Sequence, residues 1–424
     1  IRDSGYKVYW ENGAQIIPPN DVGIASEIDD APPADRILRM SSEDARRSGM
    51  LHEIDSLRDD YVTQVISELN LTTERAPVRV AYTPLHGVAE RTFRDAATRA
   101  GFEDVTSVEE QSAPNGAFPT VAFPNPEEPG AMDLVLSLAE RINADIAVAN
   151  DPDGDRVGNA ARRDGAIEVL SGNDIGALIT EELLRRRRDA PRPVALSTIV
   201  SSPILGPICE KLDARWEKTL TVQKWIQNRA LVLETEGFTT VFGYEEALGY
   251  APCRAVRDKD GISAALLMID MAAELKTRGQ TLLDARDSLF REHGFYADRQ
   301  VSVRFEGLDA NAKMNAAVDE LRARPPLEIG GQRVARMLDF ERRVQWSPGG
   351  QAPFEEYPPS NVLIFELEAG HRAMVRPSGT EPKLKYYFYA TAGGGEQEDL
   401  AAAKKEALAV LERMASDLSR PNDC

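Results

Sequence analysis

The chain has 424 residues, too many for one ordinary core, so two to four domains of roughly 100–150 residues each are expected. Its 50 Lys and Arg against 69 Asp and Glu give a formal charge of -19, which argues against binding to nucleic acid or anionic membranes and requires any anionic ligand to meet a local basic pocket. Cys209, Cys253 and Cys424 stand far apart without metal-ligand spacing, as expected of inert thiols in a reducing, cytoplasmic setting, and no apolar run is long enough to span a bilayer.

From the start, Ile1-Arg2-Asp3-Ser4-Gly5 has neither an initiating Met nor a signal-peptide core, so a native N-terminus further upstream is expected. Tyr6-Lys7-Val8-Tyr9-Trp10 reads as a strand, followed by Pro18-Pro19 and a polar, proline-bearing stretch to Arg36. Leu51, Ile54, Leu57, Tyr61, Val62, Val65, Ile66 and Leu69 recur at helical spacing, which predicts one buried face over 51–69. Residues 78–82 read as a short strand, Thr83-Pro84-Leu85-His86-Gly87 as a loop, and 88–100 as a helix closed by Gly101. A helix over 132–141 leads into the apolar strand 145–149, and an acidic loop begins where that strand stops, the place where open α/β sheets carry ligand loops. The helix around 175–188 ends in consecutive arginines that suit its dipole and solvent, and a domain boundary falls near residue 190. Strand 194–198, helix 203–212, strand 239–242 and helices 262–276 and 282–293 continue the alternation. Strands 300–304, 362–366, 373–376 and 385–389, with a last helix carrying Leu400, Ala407, Leu408, Leu411, Met414 and Leu418, mark a separate α+β domain.

Chemistry concentrates in loops. Asn150-Asp151-Pro152-Asp153-Gly154-Asp155-Arg156 sets three carboxylates at alternate positions of a tight turn, a hard-oxygen set that suits Mg²⁺. An EF-hand needs Gly at loop position six and Glu at twelve, where this chain has Arg156 and Arg162, so that reading fails. A haloacid-dehalogenase-type phosphatase and a solvated acidic turn are weaker alternatives. Arg376-Pro377-Ser378-Gly379-Thr380-Glu381-Pro382 joins a guanidinium, two hydroxyls and a glycine, the makings of a phosphate cradle, although Pro-Ser-Gly is also ordinary turn chemistry. Glu245 and Glu246 in Gly243-Tyr244-Glu245-Glu246-Ala247-Leu248-Gly249-Tyr250 could accept hydrogen bonds from vicinal sugar hydroxyls or simply face solvent. Arg257-Asp258-Lys259-Asp260-Gly261 opens a helix, where a capping Asp with charged neighbours is routine. His86 reads as a structural histidine, and no Ser-His-Asp order or G-x-S-x-G elbow supports a hydrolase.

Together these loops resemble the α-D-phosphohexomutases, in particular their bacterial phosphoglucomutase/phosphomannomutase branch. The matching pieces, in order, are G-Y-K-V-Y-W-E-N-G-A-Q-I (5–16), T-P-L-H-G (83–87), F-P-T-V-A-F-P-N-P-E-E-P-G-A-M (118–132), D-P-D-G-D-R (151–156), Y-E-E-A-L-G-Y (244–250), R-D-K-D-G-I-S-A-A-L-L (257–267) and R-P-S-G-T-E-P-K-L-K (376–385). The resemblance implies three related α/β sandwich domains, the first truncated, plus a C-terminal α+β domain around a central cleft. On this chain they would be residues 1–76, 77–190, 191–298 and 299–424.

It also implies a phosphoserine that exchanges its phosphoryl group with a sugar monophosphate through a bisphosphate, moving phosphate between C1 and C6 of glucose or mannose. Phosphopentomutase and a non-catalytic sugar-phosphate binder are the alternatives. Carried over, Asp151, Asp153 and Asp155 would ligate Mg²⁺, with a hexose 1,6-bisphosphate as activator. Lys7, Arg156 and Lys224 would serve the phosphoryl transfer, while Glu245, Glu246, Arg257, Lys259, Arg376, Ser378, Gly379 and Thr380 would bind the sugar phosphate. Small-molecule sugar phosphates are the expected partners, without nucleic acid or membrane. The family's S-H-N-P serine loop would fall upstream of Ile1, so this chain is expected to bind without turning over. In Thr221-Val222-Gln223-Lys224-Trp225-Ile226-Gln227-Asn228 the family's two glycines are replaced, and β-branched Val tolerates positive φ poorly. Asn173 stands for a common Asp, and Ser4 for a usual Asn.

Overall fold

The computed structural model describes residues 6–307, 309–378, 382–393 and 399–419. Two compact units divide the chain: residues 1–172, 189–191 and 222–282 form the first, and residues 173–188, 192–221 and 283–424 the second. Among the described residues no helix is long and apolar enough to cross a membrane.

The first unit is built on a mixed five-stranded sheet. Its strands are β1 (Val80–Thr83), β2 (Val105–Ser107), β3 (Ile146–Asn150), β4 (Val157–Arg163) and β5 (Ala166–Leu170), in the order β2-β1-β3-β4-β5. β1 runs parallel to both neighbours, Val80 facing Val105 and Ile146, whereas β4 and β5 return antiparallel. All residues of β1 and β3 are buried, which explains why their sequences are short unbroken apolar runs rather than alternating ones. Helix Asp133–Ile142 packs Val135, Leu138 and Ala139 against Ala81, Ala147 and Ala149. Helix Gly261–Thr277 packs against β3 and β4, is buried over most of its length, and is capped by Asp260, whose side chain accepts from the N–H groups of Ile262 (3.1 Å) and Ser263 (3.2 Å).

The second unit holds the parallel pair Pro193–Thr198 and Arg215–Thr219, with helix Leu205–Lys211 between them in sequence. Its larger part is an antiparallel sheet in the order Phe295–Arg304, Lys383–Ala392, Arg372–Pro377, Leu363–Leu367, Gln332–Asp339, Val344–Ser347 and Gly350–Pro353. Helix Leu400–Leu418 buries Ala407, Leu411 and Met414 on this sheet, as its periodicity predicts, but Leu408, expected on the same face, is one residue round from Ala407 and exposed; Met314 and Val318 of helix Ala310–Ala323 join the same core.

Several expectations are corrected. The helix expected from residue 51 begins at Leu57, and Leu51 and Ile54 are exposed. Their spacing continues the apolar stripe, but nothing buries it there. The strand expected at Tyr6–Trp10 reduces to a single bridge, Tyr9 to Gln15. The proline-bearing stretch contains helix Asn20–Asp30, begun directly after Pro19, whose ring is compatible with a helix start. Helices Gln223–Thr235 and Ala310–Ala323, the strands between 328 and 353 and the hairpin β4–β5 lie outside the sequence expectations.

Candidate active site

Within the first unit, the aspartate turn (residues 151–155) joins β3 to β4 at the carboxyl end of β3. Its backbone is held from several sides. Buried Asn150 donates to the Arg156 carbonyl (2.7 Å) and accepts from the Tyr82 hydroxyl (3.0 Å). The Gly154 N–H closes the turn on the Asp151 carbonyl (2.9 Å), and the Gly261 N–H donates to the Gly154 carbonyl (3.1 Å). At Gly87 the backbone meets the turn so closely that a Cβ would lie 2.3 Å from Pro152 Cα, so only glycine fits.

This frame places one carboxylate oxygen from each of Asp151, Asp153 and Asp155 within 4.8 Å of one another. Cations surround them. Lys7 bonds to Asp153 (3.1 Å) and, more tightly, to Asp155; Lys259 lies 3.0 Å from Asp155; Arg156 Nε lies 3.7 Å from Asp151 and 3.8 Å from Asp155. Burial, then the charges of Asp155 and Asp153, push the Asp151 carboxyl up to about 7. Burial would also raise Asp155, but Lys259 and Lys7 overcome it and hold that carboxyl below its usual range. Burial would lower the Lys7 ammonium, which Asp155 and Asp153 instead hold above its ordinary value. The three aspartates therefore sit in unequal fields. Three hard oxygens whose mutual repulsion still raises Asp151 fit a divalent cation such as Mg²⁺.

The loop carrying Glu245 reaches the same place. The Val157 N–H donates to the Leu248 carbonyl (3.1 Å), and Arg156 forms a bridge with Gly249. Burial raises the Glu245 carboxyl, opposed by Lys259 and Arg156, whose charges act on it directly. Glu246 lies beside it, half-buried. Two residues that the sequence did not single out complete the cluster: Asp258 accepts from the Tyr9 hydroxyl and from Lys259 Nζ (3.2 Å). Tyr9 lies two residues beyond Lys7 in the matching piece 5–16, a place that gives no chemistry by itself.

Other expected site residues are held by partners of their own. Lys224 Nζ lies 3.6 Å from Asp21, and Arg257 makes a two-pronged contact with Glu234 (3.0 and 2.8 Å). Val222 starts the helix of Lys224 at φ +85°, the glycine-like conformation, despite its β-branched side chain. In the second unit Arg376 lies on strand Arg372–Pro377 opposite Lys385, and the Ser378 N–H donates to the Lys383 carbonyl (2.8 Å), closing the connection to the next strand. Gly379 and Thr380 lie outside the described residues.

Comparison with known proteins agrees with this frame. The phosphoglucomutase/phosphomannomutase alpha/beta/alpha domain II matches residues 59–165, and domain III of the same family matches residues 171–292. A probable phosphomannomutase of Haemophilus influenzae is 37% identical over 395 residues, 92% of this chain and 74% of that one. A phosphopentomutase of Mus musculus is 33% identical, covering 97% of this chain and 69% of its own length, and a phosphoglucomutase of Staphylococcus epidermidis is 32% identical, covering 91% and 70%. Among solved structures, a phosphoglucomutase/phosphomannomutase family protein of Burkholderia thailandensis shares the fold at a TM-score of 0.56 and 17% identity, over 85% of this chain and 64% of that one. On the two matched domains and on identity sustained over nine-tenths of its length, the chain belongs to the phosphoglucomutase/phosphomannomutase family.

Proposed function

We infer that this family member serves as a phosphosugar mutase, moving a phosphoryl group between C1 and C6 of a hexose, glucose and also mannose, with Mg²⁺ and a hexose 1,6-bisphosphate as activator. The observation that carries the reading is the cluster of three aspartates within 4.8 Å, enclosed by Lys7, Arg156 and Lys259 and adjoining Glu245. Phosphoryl transfer asks a protein mainly to position reactants and to neutralise charge on the transferred group, and this cluster offers fixed cations for that purpose.

Asp151, Asp153 and Asp155 would hold Mg²⁺, which when bound supplies charge neutralisation at the phosphoryl oxygens. Lys7 and Arg156 would face the phosphoryl group and the nucleophile that carries it between half-reactions. Lys259 keeps Asp155 ionised. Glu245 and Glu246 would accept from sugar hydroxyls, and Arg376 with Ser378, Gly379 and Thr380 would grip the phosphate that is not reacting. Lys224 and Arg257 would contribute only after leaving Asp21 and Glu234.

A pentose phosphate substrate is the second reading, favoured by relatives named phosphopentomutase in Mus musculus (33% identical) and probable phosphoribomutase in Schizosaccharomyces pombe (34% identical). The test is kcat/KM on the 1-phosphates of glucose, mannose, ribose and deoxyribose with Mg²⁺ and glucose 1,6-bisphosphate, beside an Asp151→Asn, Asp153→Asn, Asp155→Asn variant. Hexose turnover lost in the variant supports the proposal. Preference for a pentose selects the second reading, and saturable binding without turnover on any sugar, even with an upstream S-H-N-P serine loop supplied, selects a sugar-phosphate binder.

A further inference from the structure

The segments 83–87 and 118–132 carry none of the side chains assigned to the site, His86 reading from the sequence as a structural histidine. In the structure a chain of hydrogen bonds ties them together. The Leu85 N–H donates to Thr83 Oγ1 (3.0 Å), the Thr83 hydroxyl donates to Gln111 Oε1 (2.6 Å), Gln111 Nε2 donates to Thr120 Oγ1 (2.9 Å), and that oxygen lies 2.8 Å from His86 Nε2. The His86 backbone is bound at both ends, its N–H to the Gln111 carbonyl (3.0 Å) and its carbonyl to the Asn115 N–H (2.9 Å). Thr83 and Gln111 are fully buried and His86 nearly so, whereas Thr120 belongs to a loop that is mostly exposed. A hydrogen-bonded network whose Thr83, Gln111 and His86 members are buried is stiff. It has to be, because Leu85 and His86 both occupy the left-handed region, at φ 48° and 58°, which a non-glycine pair holds only when its surroundings impose it.

Each end of this network leads to the aspartate turn. On one side Gly87 lies against Pro152, and the Val88 N–H donates to the Pro152 carbonyl (2.9 Å). On the other, the loop anchored by Thr120 buries Pro126 against Gly158, where a Cβ would lie 2.9 Å from the proline Cβ and 3.6 Å from Leu248. Gly158 is two residues beyond Arg156, and Glu127, next to Pro126, is one of the carboxylates whose charge acts on that guanidinium. The path from His86 through Thr120, Pro126, Gly158 and Arg156 to Pro152 and Gly87 is a closed ring.

We propose that His86 is a positioning residue: its bond to Thr120 locks the 118–130 loop to the 83–87 turn, and the two together set the aspartate turn and Arg156 in place. The proposal rests on the reading of that turn as the metal site, but its primary test does not need metal. Hydrogen–deuterium exchange on the full chain should show His86→Ala speeding amide exchange about tenfold or more in both 118–130 and 151–158. Thr120→Val should do the same, and His86→Gln, whose amide reaches about as far as the imidazole Nε2, should restore part of the protection. The double variant should add nothing to Thr120→Val, which already cuts the His86 link together with the bond from Gln111. Mn²⁺ affinity should fall about tenfold in His86→Ala, as for loss of an outer support of a metal site.

Unchanged exchange over 151–158 in folded His86→Ala or Thr120→Val, or additive effects in the double variant, would overturn the proposal. Should His86→Ala fail to fold, Thr120→Val decides, because it removes a single hydroxyl from an exposed position. Absence of saturable Mn²⁺ binding in the wild-type chain would defeat the metal reading alone, leaving the exchange result to judge the ring.

Discussion

The aspartate turn and the start of helix Gln223–Thr235 both carry charged side chains on backbone bent away from regular structure, yet the two are held in opposite ways. Around the turn the buried Asn150 is satisfied on both ends, the Gly261 N–H at the start of helix Gly261–Thr277 donates to the Gly154 carbonyl, and the residue that meets Pro152 is a glycine. At the helix start Val222 takes φ +85° with no side-chain cap, and Gln223, fully buried, leaves both amide atoms without a hydrogen-bond partner. Where two backbones collide, the neighbours leave the sequence no choice. Where a loop turns with space around its side chain, the glycine-like conformation persists without glycine, and its cost is stored locally.

The comparison breaks first at Gly87. Alanine there forces a Cβ into Pro152, and an over-packed site of this kind should lose about 3 kcal/mol in urea unfolding, with Mg²⁺ affinity falling in parallel. Stability within about 0.5 kcal/mol of wild type would show that the turn yields easily and is not imposed by its neighbours.

A second, smaller effect should appear on titration. The Asp151 carboxyl, raised to about 7, must lose its proton to bind a cation, so apparent Mg²⁺ affinity should fall by up to about tenfold per pH unit below that value. The sign for stability is the reverse. A carboxyl raised on folding stabilises the metal-free protein fully below the usual Asp range and loses that contribution as pH rises through about 7, so Mg²⁺ should protect most above neutrality. Calorimetry in buffers of different ionisation enthalpy would read the released proton, and affinity flat from pH 5.5 to about 8 would contradict the account.

The smallest effects belong to the helix start, and their direction distinguishes the two regions. Gln223→Leu removes a buried amide with no partners and should raise stability by about 1–2 kcal/mol. Val222→Gly relieves the positive φ at some entropic cost, for a net gain of about 1 kcal/mol by the same unfolding assay. Loss of stability in both would mean that this segment is as tightly specified as the aspartate turn.

Much of this was legible from residues. Three alternating aspartates after an apolar strand implied a cation-binding turn because carboxylates so close need a counter-charge, and the turn's short reach does bring one oxygen of each within 4.8 Å of the others. Asp164-Gly165 is also a hairpin signal, both residues having positive φ between β4 and β5, and it was there to be read. Helix Asn20–Asp30, which buries none of its residues, offered no apolar stripe to read.

By itself the sequence determined the order of α/β units, most of the core helices and the charged make-up of the loops, because period, run length and turn composition act over a few neighbouring residues. Only the tertiary structure decided which charges meet. Lys7 and Lys259 converge on Asp155 from positions 148 residues before it and 104 after it, Tyr9 finds Asp258, and Lys224 pairs instead with Asp21. Such meetings depend on how elements far apart in the chain pack, and Coulomb attraction between them acts only once burial has brought them within a few ångströms.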